Sequence, residues 1–409
     1  MIKKNHNQIN LFNDFPTENQ IPFIEEDITI SGYKVKRKTG EFWTGKQRQA
    51  STIHEVSYRA CFKPQLPNYF ITRFTKNNEI VYDPFGGRGT TCVEAAILGR
   101  KIIQNDINPL SVVLAKGRLS IPSLKEINDR LEKIDFNRNY KCELDLSMFY
   151  HEKTFNEILA IKNYLCLKIK SKKLDNIDSW IRMVATNRLT GHSPGFFSVY
   201  TMPPNQAVSA KRQQLINEKR GQKPTYRDTK QIILKKSKQL LGGLTHSDIS
   251  NLQNAAVDAL FLNKPANLTS EIKSSSVSLV VTSPPFLNIV QYKNDNWLRC
   301  WFNGIDAESV GKLITMSKTL DDWAVEMKKV LNELYRVVKK GGYVAFEVGE
   351  IKNGKIKLDE VIIPLGIDVG FSCEYIMINS QKFTKTSNIW GVSNNLSGTN
   401  SNRIVVLKK

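Results

Sequence analysis

The residues with the tightest chemical specification in this chain are Ser283, Pro284, Pro285 and Phe286. They follow Val277-Ser-Leu-Val-Val-Thr282, a β-branched apolar run of the kind a strand covered on both faces requires. Two consecutive prolines lack backbone donors and fix φ, so the chain must leave the sheet there as a stiff extended corner. In open α/β sheets ligands bind at the carboxyl edge of the strands, which places the corner for chemistry rather than packing. A serine hydroxyl and a proline carbonyl held outward are fixed hydrogen-bond acceptors for an N–H-bearing group, and the phenyl ring offers its face to something flat.

A second constellation lies in Glu79-Ile-Val-Tyr-Asp-Pro-Phe-Gly-Gly-Arg-Gly-Thr-Thr91. Here an apolar strand ending at Asp83 runs through Phe85 into a tight turn, Gly86-Gly87-Arg88-Gly89, and then into a helix that Thr90 or Thr91 can cap and Gly99 stops. Glycines allow close approach of backbone to a ligand. Cys92 stands where a third glycine would complete G-x-G-x-x-G, so a dinucleotide fold is disfavoured. The next strand, Lys101-Ile-Ile-Gln-Asn, ends in Asp106, a carboxylate placed to accept both hydroxyls of a ribose.

Together these stretches resemble the DNA amino-methyltransferases, enzymes that methylate the exocyclic nitrogen of cytosine or adenine. Ser283 to Phe286 is similar to their motif IV, Asp83 to Thr90 to their motif I, and Asp106 to the acid of motif II. Asn254-Ala-Ala-Val-Asp-Ala-Leu260 resembles motif III and Tyr58-Arg-Ala-Cys-Phe-Lys63 resembles motif X. The resemblance implies S-adenosylmethionine as cofactor. It would be held by Asp83, Phe85, Gly86, Gly87, Gly89 and Thr90, with Asp106 on the ribose, Asp258 on the adenine amine, and Phe62 and Lys63 at the methionine end. An exocyclic amine conjugated to its ring is a poor nucleophile, and acceptors at Ser283 and Pro284 would localise its lone pair during attack while Phe286 stacks on the flipped base.

The 409 residues leave room for one large α/β domain with an insertion, and a formal charge of +20 points to a polyanionic partner. Six scattered cysteines contain no C-x-x-C pair, and His192 has no partner at ligand spacing, so no metal site is expected. The absence of a long apolar run or a signal-like N-terminus predicts a cytoplasmic protein without a membrane span. Residues 1–54 read as a polar arm followed by a basic, aromatic segment (Lys34, Lys36, Arg37, Lys38 with Phe42 and Trp43) that suits either a nucleic-acid strand or a solvated loop. Residues 55–119 form the cofactor half, 120–250 an insertion, and 251–409 the catalytic half. The expected fold is a Rossmann-like α/β methyltransferase sheet carrying a helical, basic insertion.

Between residues 181 and 240 there are twelve Lys or Arg and two Asp or Glu, half of the chain's excess charge. A solvated helix normally mixes signs, so Arg188, Lys211, Arg212, Lys219, Arg220, Lys223 and Arg227 are candidates for phosphate contact with double-stranded DNA. The insertion precedes Asp258, whereas the commonest family arrangement has it later. Serine at the head of motif IV favours cytosine N4, with adenine N6 the alternative, and the setting implied is a restriction-modification system with a cognate endonuclease. An RNA amino-methyltransferase and a catalytically silent DNA-binding relative are the rival classes. Methylation at ring carbon 5 needs a cysteine nucleophile, typically after proline, and the chain has no Pro-Cys dipeptide.

Overall fold

The computed structural model describes residues 23–43, 50–59, 61–202, 207–285, 292–314, 317, 319–351, 355–380 and 401–409. It opens with a hairpin, β1 (Phe23–Ile30) and β2 (Tyr33–Gly40), turned at Ser31 and Gly32 with φ of 48° and 86°. Two consecutive positive φ values match the right-handed twist of paired strands. There follow α1 (Gln65–Phe74), β3 (Ile80–Asp83), α2 (Thr90–Ile97), β4 (Lys101–Asn105) and α3 (Leu110–Lys116). The insertion comprises α4 (Leu124–Leu131), α5 (Glu152–Lys170), α6 (Asn176–Arg188), α7 (Ala210–Arg220), α8 (Thr229–Leu241) and α9 (His246–Asp258). The chain returns through β5 (Leu260–Leu262), β6 (Val277–Thr282), α10 (Tyr292–Asn303), α11 (Ala307–Leu313), α12 (Leu320–Val337) and β7 (Val338–Val348). It ends with a ribbon of β8 (Glu350–Ile351) and β9 (Ile356–Lys357), then α13 (Asp359–Val369), β10 (Ser372–Ser380) and β11 (Ser401–Lys408).

Nine strands form one sheet in the order β1-β2-β10-β11-β7-β6-β3-β4-β5. Strands β7, β6, β3, β4 and β5 are mutually parallel, and β11 runs antiparallel to both of its neighbours. Strand order reverses between β3 and β6, so their carboxyl ends splay into the crevice where such sheets take ligands. All six residues of β6 are buried, as its apolar run requires. Its alternate side chains feed two cores: Leu279 and Val281 face one with Val81 and Ile102, while Val280 faces the other with Tyr82 and Ile103. The second core is closed by the apolar faces of α12 and α13, through Leu331, Leu334 and Ile362.

The insertion shares the first core. Ile127, Leu131, Ile158, Trp180, Ile233 and Leu240 all pack into the cluster that contains Val81 and Leu279. Three of its helices start with reciprocal caps, Ser123 with Glu126, Asp175 with Asp178 and Thr245 with Asp248, which satisfy first-turn donors and fix where each helix begins.

Three expectations change. Residues 23–30, expected as part of a tail, form the edge strand β1, because Ile28 and Ile30 alternate with polar residues up to a Ser-Gly turn. The basic segment after it is β2, with Lys36 and Arg37 each 2.8 Å from Glu25 and Glu26 across the hairpin, while Phe42 and Trp43 are buried and their backbone N–H groups donate to Asn379 Oδ1. These cations are answered within the fold. Finally, Lys339-Lys-Gly-Gly342, whose paired lysines and glycines suit the close of a helix, lies inside β7, where Gly341 at φ 76° accompanies a break in register with β6.

Candidate active site

The site is assembled from four strand ends. At the end of β3, Asp83 is 1% exposed, and its Oδ1 accepts from Thr282 Oγ1 at 2.7 Å and from the Phe85 N–H at 3.1 Å. Thr282 is the last residue of β6, so the carboxylate ties the strands on either side of the switch point. Burial pushes Asp83 up to about 7 against those donors. Pro84, Phe85 and Gly87, rather than Asp83, line the adjoining cavity. Asp83 thus braces the cavity wall from behind.

The glycine turn has a different reason from the one expected at two of its positions. A Cβ on Gly86 would lie 2.4 Å from the Gln104 side chain, and one on Gly89, whose φ is 79°, 2.5 Å from Ala115. These glycines let the turn press on β4 and α3. Gly89 is the N-terminal boundary residue of α2, and Thr90 and Thr91 are buried inside it, Thr90 Oγ1 accepting from Arg88 Nε at 3.0 Å. Gly87 does face the cavity, and its N–H donates to Asp106 Oδ2 at 2.8 Å.

Asp106 lies on the cavity wall just past β4. Its other oxygen accepts from the Asn108 N–H at 2.8 Å, and burial outweighs the two backbone donors to raise it to about 6. A carboxylate so held keeps further lone pairs for a diol. Behind it Asn105 clamps two turns, donating to the Pro84 and Lys264 carbonyls and accepting from the Lys264 N–H. Lys264, Pro265, Ala266 and Asn267, immediately after β5, complete this end of the cavity.

Ser283 and Pro285 line the same cavity. The Pro285 carbonyl accepts from Trp323 Nε1 at 3.0 Å, so α12 pins the corner, while Pro284 is buried within it. Phe286 lies outside the described residues. The Ser283 hydroxyl is hydrogen-bonded to Glu347, near the end of β7, and Glu347 also accepts from Asn402 Nδ2 on β11. Burial raises Glu347 above the usual carboxylate range. A serine that donates to a carboxylate turns its remaining lone pairs toward the cavity.

Several expected site residues lie elsewhere. Asp258 ends α9 and pairs at 2.8 Å with Lys101, the first residue of β4, at the opposite edge of the sheet from Asp106. The acid that the resemblance put on the adenine amine is in the last turn of a helix. Lys63 is exposed and Phe62 packs against the core, its carbonyl accepting from Arg88; neither lines the cavity, whereas Tyr58 does. Arg188 is 8% exposed, stacked 4.0 Å over the Phe196 ring and bonded to Asn187. Arg227 is half-buried and holds the Ser193 and Phe196 carbonyls. Lys211, Arg212, Lys219, Arg220 and Lys223 are exposed on or just after α7, with Arg220 3.8 Å over the Tyr200 ring. Among the described residues no cluster of His, Cys, Asp or Glu could hold a metal ion, and no helix is long and apolar enough to cross a membrane.

A family profile described as DNA methylase matches residues 3–116. The chain is 24% identical over 331 residues to the Type II methyltransferase M.MjaII of Methanocaldococcus jannaschii, which covers 73% of this chain and 59% of that relative. It is also 24% identical over 372 residues to the Type II methyltransferase M.BsoBI of Geobacillus stearothermophilus, covering 83% of this chain and 68% of that one. Among solved structures, the rRNA methyltransferase aviRa from Streptomyces viridochromogenes superposes over 88% of this chain and 90% of its own with a TM-score of 0.37 at 11% identity. The fold assignment rests on the strand order above. The chain is similar to the DNA methylase family over residues 3–116 and to Type II methyltransferases over most of its length, and it spans about three-fifths of the length of the M. jannaschii relative.

Proposed function

We propose that the protein is a DNA methyltransferase that moves a methyl group from S-adenosylmethionine to the exocyclic amine of a flipped base, with cytosine N4 as the target. The observation that carries this reading is one cavity lined at one end by Gly87 and Asp106 and at the other by Ser283 and Pro285. Asp106 suits the ribose diol, and the turn from Lys264 to Asn267 borders the place for the adenine ring. The cofactor, when bound, supplies an electrophilic methyl group on a sulfonium centre.

The chain's own residues prepare the amine. Glu347 takes the Ser283 hydroxyl proton as a hydrogen bond, so the serine oxygen can only accept from the target N–H. The proline corner, pinned by Trp323, keeps its acceptors at fixed positions, and fixed dipoles need no reorganisation as the lone pair localises. A neutral serine suits cytosine and adenine amines alike in strength, so the resemblance at the first position of the corner, rather than acceptor strength, supports cytosine. Type II relatives support a restriction-modification setting.

The test is mass spectrometry of nucleosides from duplex DNA incubated with the protein and cofactor. N4-methylcytosine is expected; N6-methyladenine alone would move the assignment to the other amine, and neither product would sink the enzyme reading. Ser283→Ala should lower turnover roughly 10²- to 10³-fold, the scale of losing one transition-state hydrogen bond, with cofactor affinity nearly unchanged. Phe286→Ala should show the same split between turnover and cofactor binding.

A further inference from the structure

Beside the catalytic cavity, and separated from it by Tyr58, lies a second cleft whose wall includes Arg88, Arg188 and Lys236. Arg188 is 8% exposed and Lys236 7%. Burying a cation is costly unless an anion accompanies it, yet the hydrogen bonds here go mainly to neutral groups. Arg88 donates to Thr90 Oγ1 and to the Val56 and Phe62 carbonyls. Arg188 bonds to the carbonyl and side chain of Asn187. Lys236 reaches Gln239 Oε1 at 3.1 Å, and the carboxylate ion-paired with this set, among the described residues, is Glu55 at a long 3.5 Å from Lys236.

Glu55 is itself taken by the Gln239 amide and is partly solvent-exposed. Burial, and then the charge of Arg188, pushes Lys236 down to about 8, while burial and Arg299 push Arg188 down to about 10. The fold has thus gathered three cations in a polar cleft against one carboxylate, Glu55, among its described lining residues. Arg88 belongs to the glycine turn at the end of β3 and Lys236 to α8 of the insertion, so the two halves of the chain meet at this charge.

We propose that this cleft is a phosphate site, and that it takes a backbone phosphate of the target strand next to the flipped nucleotide. The inference rests on the reading of DNA as substrate. Its place follows from Tyr58, which walls both the cleft and the cavity of Ser283: a strand whose base enters one must carry its phosphodiester past the other. Because the cations are already desolvated, contact with phosphate is charge-assisted and specific in position, unlike contact with the exposed cations of α7.

The experiment uses the unaltered protein and duplexes carrying a single neutral methylphosphonate, scanned across the phosphates flanking the target base. One position should weaken binding about tenfold, the scale of one charge-assisted hydrogen bond. Arg188→Gln and Lys236→Gln should flatten the dependence of log affinity on log salt by roughly 0.9 per phosphate no longer neutralised and should abolish the further loss at that one methylphosphonate. Cofactor affinity measured without DNA should stay unchanged. If cofactor affinity falls and the salt slope does not, the cleft holds the cofactor's carboxylate and the inference is overturned. It is also overturned if no flanking methylphosphonate matters or if the variants keep the full slope while DNA is still bound and methylated. A protein that binds no DNA at all would instead remove the proposed function.

Discussion

Asp106 provides the sharpest quantitative prediction because its charge state and its proposed task are linked. In the folded chain its carboxyl is raised from 3.8 to about 6 by burial. A raised acid holds its proton more tightly when folded than when unfolded, so its contribution favours the fold at low pH and is lost as pH rises from about 4 through 6. Cofactor binding runs the other way. The ribose hydroxyls are donors and require the ionised carboxylate, so apparent affinity should be constant above pH 7 and fall as pH drops through 6. At pH 5 about one site in eleven would be ionised, giving a loss of about tenfold, or about 1.4 kcal/mol. Calorimetry in buffers of different ionisation heat should show almost no proton release at pH 8 and about 0.9 proton per ligand at pH 5. Asp106→Asn should bind more weakly by about 1.5–3 kcal/mol at pH 8 and lose the pH dependence near 6. Asp83, raised to about 7, sits behind the cavity wall; in Asp83→Asn the midpoint near 6 should persist. Wild-type affinity that is flat from pH 5 to 8, or a midpoint that survives in Asp106→Asn, would refute the assignment.

Two further outcomes follow from the same geometry. Neutralising Lys211, Arg212, Lys219 and Arg220, all exposed along α7, should flatten the salt dependence of DNA affinity by roughly 0.9 for each phosphate the helix no longer neutralises; an unaltered slope would make α7 merely a solvated face. Gly89→Ala combines a left-handed backbone with a Cβ 2.5 Å from Ala115, and should cost about 2–4 kcal/mol of stability in urea unfolding, whereas an unchanged midpoint would show that the turn can shift without penalty.

Much of this arrangement is legible in the sequence because its signals are local. The apolar run into Ser283-Pro-Pro, the glycine turn and Asp106 each join a periodic strand to a break that packing alone does not need. Asp258 misleads because β5 is three residues long, too short for period-2 patterning to separate it from the end of α9. The acid therefore draws notice where α9 ends, while the turn lining the cavity, Lys264 to Asn267, carries none. Glu347 has a usable signal, a carboxylate in the buried apolar stretch that ends β7, but its partner Ser283 is 64 residues away and only the β6–β7 pairing brings them together. Arg188 shows the limit of counting charges: a cation in a basic run is not an exposed cation, and its aromatic neighbour Phe196 lies across a loop.

The insertion's place in the shared core bears on how DNA contact and chemistry are joined. Segment Glu55–Tyr58 lies between the two halves: the Ser57 carbonyl accepts from Asn187 on α6 and from Arg299 on α10, and the Val56 carbonyl accepts from Arg88 of the glycine turn. Arg118, fully buried after α3, reaches the Ile53 and Arg88 carbonyls from the other side. Every one of these bonds ends on main chain, so the segment is held by its backbone and its position is common to the insertion, the glycine turn and α10. Tyr58 is therefore carried on a strut that cannot move with one half alone, because a shift of α6, α10 or the glycine turn against it would strand the Asn187 amide or the Arg299 or Arg88 guanidinium at a cost of about 1–3 kcal/mol each. In the proposed function, a recognition surface on this insertion would be rigidly registered to the cavity of Ser283, which is what placing a single flipped amine against fixed acceptors requires.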